Sequence, residues 1–137
     1  MGVEGGRGRG DWLRSRSREE GGPMRYMLLH KTNEKLEAGQ PPDPAMLARA
    51  DEVLEEMRQA GVLCTAEGLM PSERGARVTF PDGGQPRVID GPFTETKELI
   101  AGVSVIRVDS KEEAVRWALR FAAADPGTEI DILELAD

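Results

Sequence analysis

Between residues 24 and 135 the apolar positions follow two periods, and the switches between them predict the elements. Tyr26-Met27-Leu28-Leu29 is a short apolar run fit for a buried strand. Residues 31–42 are polar, contain Gly39, Pro41 and Pro42, and read as a loop. Asp43 before Pro44 has the form of an N-cap and a first helical residue. Leu47, Ala50, Val53, Leu54 and Met57 then recur at helical spacing, and Gly61 ends the helix. Residues 62–66 form a second strand that leads into Glu67-Gly68-Leu69. Residues 76–80 and 86–89 flank Pro81-Asp82-Gly83-Gly84, a hairpin signal. Residues 100–108 are the longest β-like stretch, with Val103 and Val105 alternating against small or polar residues. Ser110 and Glu113 make a capping box for a helix expected to turn Ala114, Val115, Ala118, Leu119 and Ala122 inward. Pro126-Gly127 is a turn, and residues 129–135 alternate through Ile130 and Ile132 as a last strand.

The order is β-α-β-(β-β)-β-α-β. Two split β-α-β units around a hairpin predict an α+β fold, a ferredoxin-like sandwich with both helices on one face of an antiparallel sheet. The opposite face is then left open and apolar. A face of that kind predicts a homodimer packed sheet against sheet.

Composition narrows the function classes. The 137 residues suit one domain, with 39% hydrophobic and 31% charged residues as in a soluble globular chain. A formal net charge of −7 and the lack of a basic stripe in residues 24–137 argue against nucleic acid as a partner. No apolar stretch reaches membrane-span length, so no membrane partner is expected. Residues 1–23 lack the apolar core of a secretory signal, and a cytoplasmic location is the expectation. Those residues are rich in Gly and carry Arg7, Arg9, Arg14, Arg16 and Arg18, with few apolar side chains. They are expected to be a disordered tail before a domain spanning 24–137. A basic arm and a chain start at Met24 are the other readings of this segment. The single cysteine, Cys64, rules out an intramolecular disulfide and is read as a small buried hydrophobe.

The reactive residues concentrate in Asp90-Gly91-Pro92-Phe93-Thr94-Glu95-Thr96-Lys97-Glu98. Asp90 precedes a rigid Gly-Pro turn at a strand end. It reads either as a general base, raised in pKa by partial burial, or as a turn residue that accepts backbone N–H groups. His30, at the end of the first strand, is a proton shuttle or a surface histidine. Glu67 precedes a glycine that permits close approach of a ligand, and two carboxylates near each other separate into acid and base roles. A hydrogen-bonded structural glutamate is the other reading. Lys97 is a cation for an anionic ligand or a solvated lysine. Thr94 and Thr96 are candidate ligand contacts or caps of a short turn, and Phe93 is a turn anchor. No nucleotide fingerprint, nucleophile elbow or metal-ligand spacing is present, so no cofactor and no metal are expected.

These motifs resemble the DGPF branch of the YCII-related family across residues 24–135. Met24-Arg25-Tyr26-Met27-Leu28-Leu29 is similar to its first strand. Ala60-Gly61-Val62-Leu63 and Glu67-Gly68-Leu69 are similar to its helix exit and second strand. Residues 90–98 resemble its signature, with Thr94 where Ala is more usual, and Leu99-Ile100-Ala101-Gly102 also fits. The resemblance implies a dimeric α+β barrel of two ferredoxin-like subunits. For the wider family it implies a His-Asp catalytic pair, and for the DGPF branch an accessory role beside sigma factors. Two functions follow as expectations. One is a cofactor-independent enzyme acting on a small molecule, with Asp90 as base and His30 or Glu67 as proton partner. The other is a non-catalytic module that binds a small ligand or regulates a partner.

Overall fold

The computed structural model describes residues 23–95 and 98–136. The expected tail, the ligand contacts assigned to Thr96 and Lys97, and Asp137 lie outside the described residues. Strand β1 spans Met24–Lys31. A one-turn helix α1, Glu34–Glu37, occupies the segment expected to be a loop. Asn33 starts it by accepting the Leu36 N–H at 2.9 Å, and Gly39 at φ +91° follows it. One turn is too short to create an apolar period, so only the Asn33 cap announces it.

Helix α2, Pro44–Gln59, begins where Asp43 accepts the Ala45 N–H at 3.0 Å. Gly61, at φ +76°, turns the chain after its end. Strand β2 is Leu63–Gly68, followed by a 3₁₀ turn at Ser72–Arg74. Strands β3, Ala76–Thr79, and β4, Arg87–Asp90, pair only with each other among the described residues. Strand β5 is Ile100–Val108. Helix α3, Lys111–Ala124, opens with the expected capping box: Ser110 Oγ accepts the Glu113 N–H at 3.1 Å, and Glu113 reaches back to the Asp109 N–H at 3.1 Å. Strand β6 is Ile130–Glu134.

The larger sheet has the order β2-β5-β1-β6 and is antiparallel throughout. With three helices among the described residues, this mixed α+β arrangement is consistent with a ferredoxin-like fold. Alternation along the strands assigns each side chain a face. Tyr26, Leu28, Ile106 and Val108 face the helices and pack with Val53 and Met57 of α2 and Ala114, Ala118 and Phe121 of α3. Leu28, Met57 and Ile106 are completely buried, each contributing about 1.5–3 kcal/mol by removal from water. The opposite face carries Met27, paired with Val105 and Leu133, and Leu29, paired with Val103.

Two side chains depart from expectation. Cys64 is exposed, not buried. It sits at the register shift between Leu63 and Thr65 on the edge strand, where the extra residue has no partner on β5. In α3 the inward stripe runs through Ala114, Ala118, Phe121 and Ala124, and Leu119 is 63% exposed. Leu119 is thus not part of the inward face on which the helical pattern set it with Ala118 and Ala122. The i, i+4, i+7 spacing from Ala114 places Phe121 there and turns Leu119 outward.

Candidate functional site

A cleft of about 910 Å³ opens where the helix-facing side of the sheet meets α1, the start of α2 and the end of α3. Its floor is formed by small residues. His30 pairs with Gly102 on β5, and Gly102 pairs with Gly68 on β2. All three share the helix-facing side with Ser104, so no side chain rises from β2 or β5 beside the imidazole at this level. A Cβ built on Gly68 meets nothing within 4 Å. The glycine that sequence reading singled out after Glu67 therefore leaves open space within the cleft lining.

His30 is held from two sides. Its Nε2 lies 3.5 Å from Ser104 Oγ, a long hydrogen bond whose direction follows the imidazole tautomer. Its ring meets Phe121 edge to face, 4.8 Å between centroids and 86° between planes. Burial lowers the imidazole pKa below 6.5, and the negative charge of Asp125 partly opposes that shift. The ring is consequently neutral at pH 7 and can accept a proton, while Asp125 favours the cation that results. Asp125 follows the last residue of α3. Its N–H bonds the Ala122 carbonyl at 3.2 Å, and its own carbonyl accepts the Thr128 N–H at 3.1 Å. Arg49 Nε donates to the Ala124 carbonyl at 3.0 Å and ties this corner to α2.

Of the described residues of the 90–98 run, Glu98 lines the cleft, whereas Asp90 and Thr94 do not. Asp90 ends β4, is exposed, pairs with Ala76 across the hairpin and does not line the cleft. Thr94 is exposed and also lies outside the lining. Glu67 borders the cleft, but its side chain accepts Thr65 Oγ1 at 3.5 Å. By alternation that side chain stands on the sheet face opposite His30. The structure thus puts His30, Ser104 and Asp125 together, and it does not bring Asp90 or the Glu67 carboxylate to them.

What the run does hold is Ser72. Gly91 N–H donates to the Gly75 carbonyl at 3.0 Å, and Phe93 N–H donates to Ser72 Oγ at 2.9 Å. The Gly91–Pro92 peptide is cis, and the Arg77 guanidinium lies 4.2 Å from the Phe93 ring centroid. Ser72 in turn donates from its N–H to Glu37 Oε1 at 3.0 Å and from its hydroxyl to Glu37 Oε2. Glu37 and Ser72 both line the cleft, so the turn fixes part of its rim. Sequence reading missed Ser104, Asp125, Ser72 and Glu37. Asp125 directly precedes the Pro126-Gly127 turn, and none of the four carries a local motif.

Among the described residues, no group of three or more His, Cys, Asp or Glu side chains is arranged to hold a metal ion. Nor is any helix among them long and apolar enough to cross a membrane.

The fold and cleft define a small α+β domain with a half-buried histidine at the base of a largely apolar pocket. The chain belongs to the YCII-related domain family, whose model matches residues 24–136. It is also similar to an uncharacterised protein of Rhizobium meliloti (strain 1021), at 36% identity over 70 residues. That match covers 51% of this chain and 56% of the relative, so the chain spans little more than half of that protein's length.

Proposed function

We propose that this YCII-related domain binds a small molecule in the cleft and uses His30 as a general base, with Asp125 stabilising the imidazolium that forms. The observation that carries this reading is a half-buried imidazole on the floor of a cleft of ligand size, where burial favours the neutral ring and the Asp125 carboxylate favours its cation. A His-Asp element is also what the resemblance implied for the wider family. The resemblance of residues 90–98 to the DGPF signature supports membership of that branch. That run then serves the site by shaping its rim.

A thermal-shift screen of metabolites tests it, run on the wild type, His30→Gln and Asp90→Asn. A bound ligand raises the melting temperature by mass action. With a turned-over ligand in hand, His30→Gln lowers kcat by about 10²–10⁴ while Asp90→Asn stays near wild type. Full turnover in His30→Gln, or loss confined to Asp90→Asn, returns the chemistry to the DGPF run.

The assembly proposed with it is a homodimer closed over the apolar sheet face of Met27, Leu29, Val103 and Val105. Light scattering coupled to size exclusion is expected to give twice the chain mass at micromolar concentration. A clean monomer rejects the dimer and leaves the cleft reading untouched.

A further inference from the structure

We infer that the cleft selects a largely apolar, non-anionic small molecule that presents a hydrogen-bond donor, an amine or a hydroxyl, to the floor at His30. This rests on the cleft reading above and adds the ligand's chemistry to it.

The walls supply the first argument. Leu36, Pro42, Met46, Leu54, Leu69 and Met70 line the cleft, and Leu69 and Met70 remain 51% and 63% exposed at its rim. Apolar side chains left in water around a cavity favour an apolar guest, because its entry removes both surfaces from solvent. A volume of about 910 Å³ admits a body larger than one aromatic ring.

Charge supplies the second. Glu37, Asp51, Glu98 and Asp125 line the cleft. Among the described residues, the lining cations are Lys31, engaged by Asp131 at 3.3 Å, and Arg74, against four carboxylates. A cleft of one predominant sign with low-dielectric walls repels a ligand of the same sign.

Hydrogen-bond donors around the cleft point the same way. An anion site needs N–H or O–H groups aimed at it. Both donors of Ser72 are spent on Glu37, and the Phe93 N–H is spent on Ser72. The neutral imidazole of His30 offers an acceptor nitrogen at the floor once its other nitrogen carries the proton. A donor-bearing ligand satisfies it, whereas a carboxylate or phosphate does not.

His30 is the only histidine of the chain, so its imidazole C–H signal reports cleft occupancy in a one-dimensional proton spectrum. The experiment uses the full chain without a histidine tag at fixed pH and low salt. Three probes share an aryl body and differ in the head: phenethylamine, phenethyl alcohol and hydrocinnamate. The amine and the alcohol are expected to shift the His30 signal saturably, and hydrocinnamate to need about tenfold more or higher. Added salt narrows the gap between amine and hydrocinnamate. Gly68→Leu is expected to remove the response, because a Cβ at Gly68 meets nothing within 4 Å and the larger side chain extends from it into the cleft.

Equal or tighter binding of hydrocinnamate overturns the ligand class and leaves the cleft as a site. No shift of His30 with any probe overturns both. A response that persists unchanged in Gly68→Leu, with the fold intact by circular dichroism, places the binding elsewhere and also overturns the inference.

Discussion

Leu28→Ala is expected to lower the unfolding free energy by about 2–5 kcal/mol in urea denaturation. Leu28 is completely buried in the middle of β1, paired with Ser104 on β5 and Ile132 on β6. It belongs to the cluster that joins the sheet to Met57 and Phe121. Removing three carbons there costs the transfer free energy of the deleted groups. It also leaves a void that flanking strands, tied on both sides, cannot close. Domains of this size are stable by only about 5–15 kcal/mol, so the loss is a large share of the total. Leu119→Ala is the matched comparison: the same atoms are removed from a residue 63% exposed, and the change stays within about 0.5 kcal/mol. A Leu28→Ala loss below about 1 kcal/mol would mean that the sheet does not pack on the helices as described.

Gly91→Ala is expected to cost about 1–3 kcal/mol and to reshape the cleft rim as well. A Cβ at Gly91 would lie 1.8 Å from the Ser72 carbonyl oxygen and 2.6 Å from its carbon. Both are backbone atoms, so no side-chain rotation relieves the contact. The 3₁₀ turn must move, and with it the Ser72 hydroxyl that accepts the Phe93 N–H and donates to Glu37. Gly75→Ala is the control at the same junction. Its Cβ would sit 3.6 Å from the same carbonyl, an ordinary contact, so the melting temperature should change little. Equal melting temperatures for Gly91→Ala and wild type would remove the Gly91–Ser72 contact from the account of the turn.

These two residues show how legibility divides. Leu28 was readable because a strand core announces itself by an apolar run, and the starts of α2 and α3 were readable because Asp43-Pro44 and Ser110 with Glu113 act within one turn. Gly91 was readable as a turn glycine, yet its requirement comes from the backbone of Ser72, in another segment. His30 was named from its place at a strand end. Its partner Ser104 lies 74 residues away, and Ser72 meets Glu37 across 35 residues, separations that only strand pairing and loop packing set. Asp125 was hidden by its neighbours, because Asp before Pro-Gly satisfies turn chemistry and gives no reason to look further. The density of reactive side chains in residues 90–98 drew attention to Asp90. The junction with the hairpin and the 3₁₀ turn is made instead by the backbone N–H groups of Gly91 and Phe93 and by the Phe93 ring.

The β3–β4 hairpin stands apart from all of this. Each of its eight strand residues is exposed, and it shares no ladder with the larger sheet. Its tip turns through Gly83 at φ +75°. Such a tip can carry foreign sequence: the entropic cost of lengthening a loop grows only with the logarithm of its length, about 0.6 kcal/mol per doubling. An epitope or a fluorescent reporter spliced between Asp82 and Gly83 would ride on the domain without entering its core. The exposed tip offers a handle for immobilisation outside the buried core.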